Sequence, residues 1–115
     1  MSHVFIVEDN HAAAGLLQEL LQLQDHTALC AHTGQQALEA AASGSFDIAL
    51  VDLTLPDMPG IAVAQQLRER CAGAAPLLIA VSGHAPSAAS QAVFDHHLQK
   101  PIDFQALDRI LAQVA

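Results

Sequence analysis

Three short stretches of this chain are apolar without a break: VFIV at residues 4–7, IALV at 48–51 and LLIAV at 77–81. Runs of that length with β-branched members, bounded by polar and turn residues, are strands buried on both faces. A parallel sheet covered by helices on each side buries strands in that way. The intervening segments carry helical patterns. Asn10 can cap a helix whose wide apolar stripe is Leu16, Leu17, Leu20, Leu21 and Leu23, with Asp25 and His26 as its break. Thr27–Ala31 (TALCA) is a weak strand expected near an edge. Thr33-Gly34 opens an Ala-rich helix that runs through Ala42, and Ser43-Gly44-Ser45 ends it. A helix over 60–71 presents Ile61, Ala64, Leu67 and Cys71 on one side, and residues 73–76 break the chain again. Pro86 and Ser87 start a short uncharged helix ending near Val93. Residues 97–99 form a short strand, and Asp103 caps a last helix with Phe104, Leu107, Ile110, Leu111 and Val114 facing inward.

Five strands thus alternate with five helices, the pattern of a doubly wound, parallel α/β sheet. Right-handed crossovers place every strand's C-terminal end on one edge. These elements use the whole of residues 1–115, so one domain is expected, with no room for an attached output domain.

Composition narrows the function. No apolar stretch reaches the length of a membrane span, and charges directly after Val7 do not fit a signal peptide. Cys30 and Cys71 lie far apart and match no metal spacing, which suits a reduced, cytoplasmic protein with two small core-filling thiols. The formal net charge is −8. Nucleic-acid binders need basic patches, so no nucleic-acid partner is expected. Only Arg68, Arg70, Lys100 and Arg109 are basic, and Lys100 is the sole lysine.

Residues just beyond the strand ends carry the chemistry. Glu8 and Asp9 follow the first strand, Asp52 ends the third, Ser82 follows the fourth and Lys100 the fifth. After Asp52, Pro56, Pro59 and Gly60 force a loop. Converging carboxylates repel one another, so a cation sits among them or their pKa values rise. Partly hydrated oxygen ligands of this kind suit Mg2+. Mg2+ and a lysine beside a carboxylate are also what phosphoryl transfer to that carboxylate requires.

The motifs VFIVEDN, FDIALVDLTLPDMPG, LLIAVSG and HLQKPI, in this order and at these separations, resemble the response-regulator receiver domain, the CheY-like module of two-component signalling. The resemblance covers nearly the whole chain. It implies a flavodoxin-like sheet in strand order 2-1-3-4-5. It implies that Asp52 accepts a phosphoryl group from a histidine kinase or histidine phosphotransfer protein, the domain catalysing its own phosphorylation and autodephosphorylation. Mg2+ would be held by Asp9, Asp52, the backbone carbonyl of Thr54 and, through water, Glu8. Ser82 would bond a phosphoryl oxygen, Lys100 would pair with the phosphoryl group, and Lys100-Pro101 would be a cis peptide. Ser82 and His97 would form the switch, His97 standing where the family often has an aromatic side chain that swings between exposed and buried. An unidentified downstream protein would read the fourth helix, fifth strand and last helix. The fourth helix carries no charges for inter-subunit ion pairs, so a monomer is expected.

Plainer readings stand beside these. Glu8-Asp9 could be a solvated turn favoured by the helix dipole, Ser82 a turn residue, and His97 a half-exposed edge-strand histidine. His84 overlooks the same mouth, and His96 and His97 point to opposite faces of a strand, which argues against a shared transition metal. The short Thr54 side chain leaves water access to Asp52. Val93 stands near where the family often ends the helix with Gly; a β-branched residue disfavours a left-handed cap, so this helix should end differently. A flavodoxin-type nucleotide binder fits poorly, because Glu8-Asp9 would repel phosphate. A haloacid-dehalogenase-type phosphatase would want a second Asp where Thr54 stands. A degenerate receiver, binding protein without phosphorylation, is the remaining alternative.

Overall fold

The computed structural model describes residues 3–43, 46–70, 76–83, 87–100 and 102–114. The elements are β1 His3–Val7, α1 His11–Leu23, β2 Thr27–Ala31, α2 Gly34–Ser43, β3 Ile48–Asp52, α3 Gly60–Arg70, β4 Leu77–Ser82, α4 Ala88–Val93, β5 His96–Gln99 and α5 Phe104–Val114. All strand pairs are parallel, in the order β2-β1-β3-β4-β5. The weak TALCA strand lies at one edge, and β5 at the other.

The unbroken apolar runs follow from burial on both faces. Side chains alternate across a strand. Phe5, Val7, Ala49, Val51, Leu78 and Ala80 pack with Ala37, Val63, Ala64 and Leu67 of α2 and α3 on one face. Val4, Ile6, Ile48, Leu50, Ile79 and Val81 pack with α1 and α5 on the other. All five residues of β3 are buried, the last being Asp52. The fold therefore delivers a carboxylate into the protein at the edge where all strands end.

Two helix faces differ from expectation. On α1 the buried positions are Ala14, Leu17 and Leu21, spaced three and four apart. Leu16 and Leu23 fall off this line and are 54% and 80% exposed. On α5, Leu107, Ile110 and Leu111 are buried, but Phe104 is 39% exposed. Leu16 and Phe104 both line an apolar cavity of about 350 Å³ that reaches Glu8, Asp52 and Lys100. The cavity thus leaves both side chains short of full burial. β5 also starts one residue earlier than expected, at His96.

α4 ends without a left-handed cap: Phe94 is extended at φ −98° and ψ 147°. Arg68 of α3 takes over the capping role, its Nε donating to the Val93 carbonyl at 2.7 Å. Cys30 is partly buried, its Sγ 3.7 Å from the Ala14 carbonyl, and burial pushes its thiol pKa up. No helix among the described residues is long and apolar enough to cross a membrane. Cys71, His84, Pro86 and Pro101 lie outside the described residues, and with them the break at 73–75 and the cis peptide expected at Lys100-Pro101.

Candidate functional site

Each acid arrives by a separate local device. Asn10 caps α1, its side chain accepting from the Ala13 amide at 3.1 Å. That cap turns the chain directly after Val7 and leaves Glu8 and Asp9 at the strand end. Asp52 is held by the loop that follows: the Thr54 amide donates to its Oδ1 at 2.9 Å. The loop closes through a Leu53 carbonyl to Gly60 amide bond of 3.0 Å. Any side chain at residue 60 would put its Cβ 2.2 Å from the Asp52 carbonyl oxygen, so glycine is required by the approach of two backbones. The Ser82 carbonyl accepts from the Lys100 amide at 2.7 Å, which fixes where the lysine leaves β5.

These devices bring the predicted residues together. Lys100 Nζ lies 2.9 Å from Asp52 Oδ2 and 3.1 Å from Glu8 Oε1. Asp52 is 3% exposed and Glu8 8%, whereas Asp9 and Thr54 are exposed. Glu8, Asp9 and Asp52 can each offer an oxygen within 4.8 Å of the others, the one such cluster among the described residues. Three hard oxygen donors at this spacing, open on the Asp9 side, fit a small divalent cation that keeps part of its hydration shell.

The electrostatics divide the two buried acids. Burial pushes the Glu8 carboxyl up to about 7, reinforced by its hydrogen bond to Asp52. Burial pushes Asp52 up as well, but hydrogen bonds from Glu8, Lys100 and the Thr54 amide outweigh it and hold Asp52 below the usual carboxylate range. Of the two acids, Glu8 is therefore the one that takes up a proton more readily, and Asp52 the one that keeps its charge. Lys100 is pushed down by burial and, more strongly, up by its bonds to Asp52 and Glu8.

Residues 4–112 match the response regulator receiver domain profile. The chain belongs to that family. It is 33% identical over 113 residues to the signal transduction histidine-protein kinase BarA of Escherichia coli, a match covering 94% of this chain and 12% of BarA. A receiver domain (CheY-like) from Methylobacillus flagellatus superposes with a TM-score of 0.93 at 34% identity, covering 100% of this chain and 99% of that one. The receiver domain of sensor histidine kinase PA1611 from Pseudomonas aeruginosa, described with a magnesium ion coordinated in its active-site cleft, gives a TM-score of 0.86 at 25% identity. That match covers 97% of this chain and 95% of PA1611's receiver. The chain spans 12 to 29% of the length of the first curated relatives it matches. Receiver domains serve as phosphoacceptors in two-component signalling, bind Mg2+ at an acidic pocket and interact with histidine kinases or phosphotransfer proteins.

Away from the acids, the receiver's His97 is half-buried on β5. Its ring meets Phe94 edge-on at 5.9 Å, and its Nε2 lies 3.1 Å from Oγ of Ser90, a fully buried residue of α4. Burial and neighbouring His96 lower its pKa. Ser82 and His97 lie two steps apart along the β4–β5 ladder, Ser82 opposite Gln99 and His97 opposite Ala80.

Two further residues hold this edge and carry no local sequence signal. Asp57, after Asp52 in the same loop, accepts from the Gly34 and Gln35 amides at 2.8 and 2.9 Å, capping α2 from outside. Those bonds lower its pKa. His32 Nδ1 lies 3.0 Å from the Glu8 carbonyl oxygen.

Proposed function

We propose that Asp52 is the phosphoacceptor of this receiver, taking a phosphoryl group from a phosphohistidine of a histidine kinase or phosphotransfer protein. The observation that carries this is the Lys100 ammonium bridging Asp52 and Glu8 at 2.9 and 3.1 Å, beside an acidic cluster open to solvent at Asp9. Asp52 stays ionised, as a carboxylate nucleophile must. One of its oxygens forms the new O–P bond as the N–P bond to the donor imidazole breaks. The Thr54 amide fixes the carboxylate plane, and Lys100 faces the charge carried by the transferred oxygens.

Glu8, Asp9, Asp52 and the Thr54 carbonyl would hold Mg2+. The ion would supply further charge neutralisation to the phosphoryl oxygens. Ser82, at the end of β4, would donate to a phosphoryl oxygen, and the exposed Thr54 side chain leaves a path for water to hydrolyse the acyl phosphate. Asp57 is a poor competitor because its oxygens are engaged at the start of α2.

We read residues 1–115 as one receiver domain, cytoplasmic with its donor and largely monomeric. Its downstream protein would read the α4-β5-α5 face; nucleic acid and membrane would not be partners. The completeness of Glu8, Asp9, Asp52, Ser82 and Lys100 favours phosphotransfer over a degenerate, binding-only receiver. With acetyl phosphate and Mg2+, intact protein should gain one phosphoryl mass, and Asp52→Asn should gain none. Undiminished labelling of the variant, or a label mapped to Asp57, would overturn the assignment.

A further inference from the structure

The peptide joining Glu8 to Asp9 sits between two of the three clustered acids, and its orientation sets the direction in which both side chains leave the chain. Consecutive residues at the end of β2 grip Glu8 at both main-chain polar groups. The Glu8 amide donates to the Ala31 carbonyl at 2.9 Å, and the Glu8 carbonyl lies 3.0 Å from His32 Nδ1. A carbonyl oxygen can only accept, so the ring must carry its proton on Nδ1. The neutral Nδ1–H form and the imidazolium both satisfy this, and the contact does not depend on the charge of the ring.

His32 is itself held. Its amide donates to Oε1 of Gln36, in the first turn of α2, at 2.9 Å. Its ring stacks on His11 at a centroid distance of 3.7 Å and an interplanar angle of 20°. His11 opens α1, directly after the Asn10 cap. The imidazole is thereby clamped between the starts of two helices with one nitrogen aimed at the acid-bearing loop. The same end of α2 receives Asp57 from the loop after Asp52. The first turn of α2 is therefore a common anchor for both acid-bearing loops, with His32 as its link to Glu8 and Asp9.

We propose that His32 is a positioning residue for the acidic cluster: its Nδ1–H fixes the Glu8 carbonyl and so aims the Glu8 and Asp9 carboxylates at a shared cation. This rests on reading that cluster as the Mg2+ site. An ordinary surface histidine in the same place would affect stability alone. Partners that orient metal ligands typically change affinity by about 10-fold or more when removed.

The test is a Mg2+ titration followed by NMR on the Asp9 and Asp52 amides, with melting in EDTA as the stability control. His32→Phe keeps a ring against His11 but cannot donate; it should weaken Mg2+ binding about 10-fold with little change in melting without metal. His32→Asn places an amide nitrogen near the Nδ1 position and should bind within about 2-fold of wild type. Wild-type affinity in His32→Phe, or failure of His32→Asn to recover affinity, overturns the proposal alone. Wild-type protein that binds no Mg2+ overturns it together with the metal reading of the acids.

Discussion

Replacing Glu8 by glutamine isolates the cost of an ionised carboxylate packed against Asp52. In the folded protein the Glu8 carboxyl titrates at about 7, against an ordinary 4.5. Between those values the folded state holds a proton that the unfolded chain has lost. Stability contributed by Glu8 is therefore complete below pH 4.5 and lost as pH rises through 7. At about 1.4 kcal/mol per pH unit the full interval amounts to about 3 kcal/mol; solvent around half-exposed Lys100 reduces this to about 2 kcal/mol. The amide side chain of the variant would donate to Asp52 as protonated Glu8 does, and accept from Lys100, without the titration. In EDTA, Glu8→Gln should match wild type at about pH 4 and exceed it by about 2 kcal/mol at about pH 8. The difference between the two proteins is the quantity to read. The lowered pKa of His97 gives an opposite slope, with stability rising as pH climbs through its range, and it is common to both. Asp52, with its lowered pKa, loses its contribution only as pH falls below the window used here. The chain has no Trp or Tyr, so urea unfolding would be followed by far-ultraviolet circular dichroism. With saturating Mg2+ the order should reverse, because a cation bound only to the folded state stabilises wild type more. Parallel pH profiles in EDTA, or a variant less stable than wild type in mild alkali, would refute the reasoning.

Two other outcomes follow from the α4 side of the molecule. Arg68→Ala removes the donor to the Val93 carbonyl; the exposed pair with Asp95 at 3.2 Å adds little, so a loss of about 1–2 kcal/mol is expected, with faster amide exchange confined to residues 91–98, and unchanged exchange there would contradict the capping role. Beryllofluoride should shift the His97 ring signals together with the first-turn amides of α4 while sedimentation still shows a monomer. The associated change in partner affinity should be on the order of 1–3 kcal/mol; silent His97 and α4 signals, or a tight induced homodimer, would show the switch to be wrong.

What the sequence disclosed, and what it concealed, divides by distance along the chain. Strands β1, β3 and β4 were legible because burial on two faces leaves an uninterrupted apolar run, and the polar residue that ends each run marks the edge. Asn10 and Asp103 were legible as caps, and Ser87 as a helix start, because a cap acts within three residues of itself. The stripe on α1 was over-read: any leucine near the helical period looks like core, but the buried line runs through Ala14, Leu17 and Leu21, and Leu16 borders a cavity instead. The residues that hold the site together escaped altogether. His32 reaches Glu8 across 24 positions, Asp57 reaches Gly34 across 23 and Arg68 reaches Val93 across 25. No periodicity encodes such contacts. Val93 shows how the two kinds of information meet. Its β-branched side chain announced that α4 would lack a left-handed cap, and the structure supplies the substitute from another helix. A carbonyl satisfied by a neighbouring side chain is also one that can be released when that neighbour shifts. Ser90 adds a second tie at the same helix: its hydroxyl donates to the Ser87 carbonyl, its oxygen accepts from the Ser87 amide and hydroxyl, and it lies 3.1 Å from His97 Nε2. α4 is thus pinned near its start by β5 and at its end by α3, and a displacement of His97 must break or carry the first pin before it can alter the exposed face.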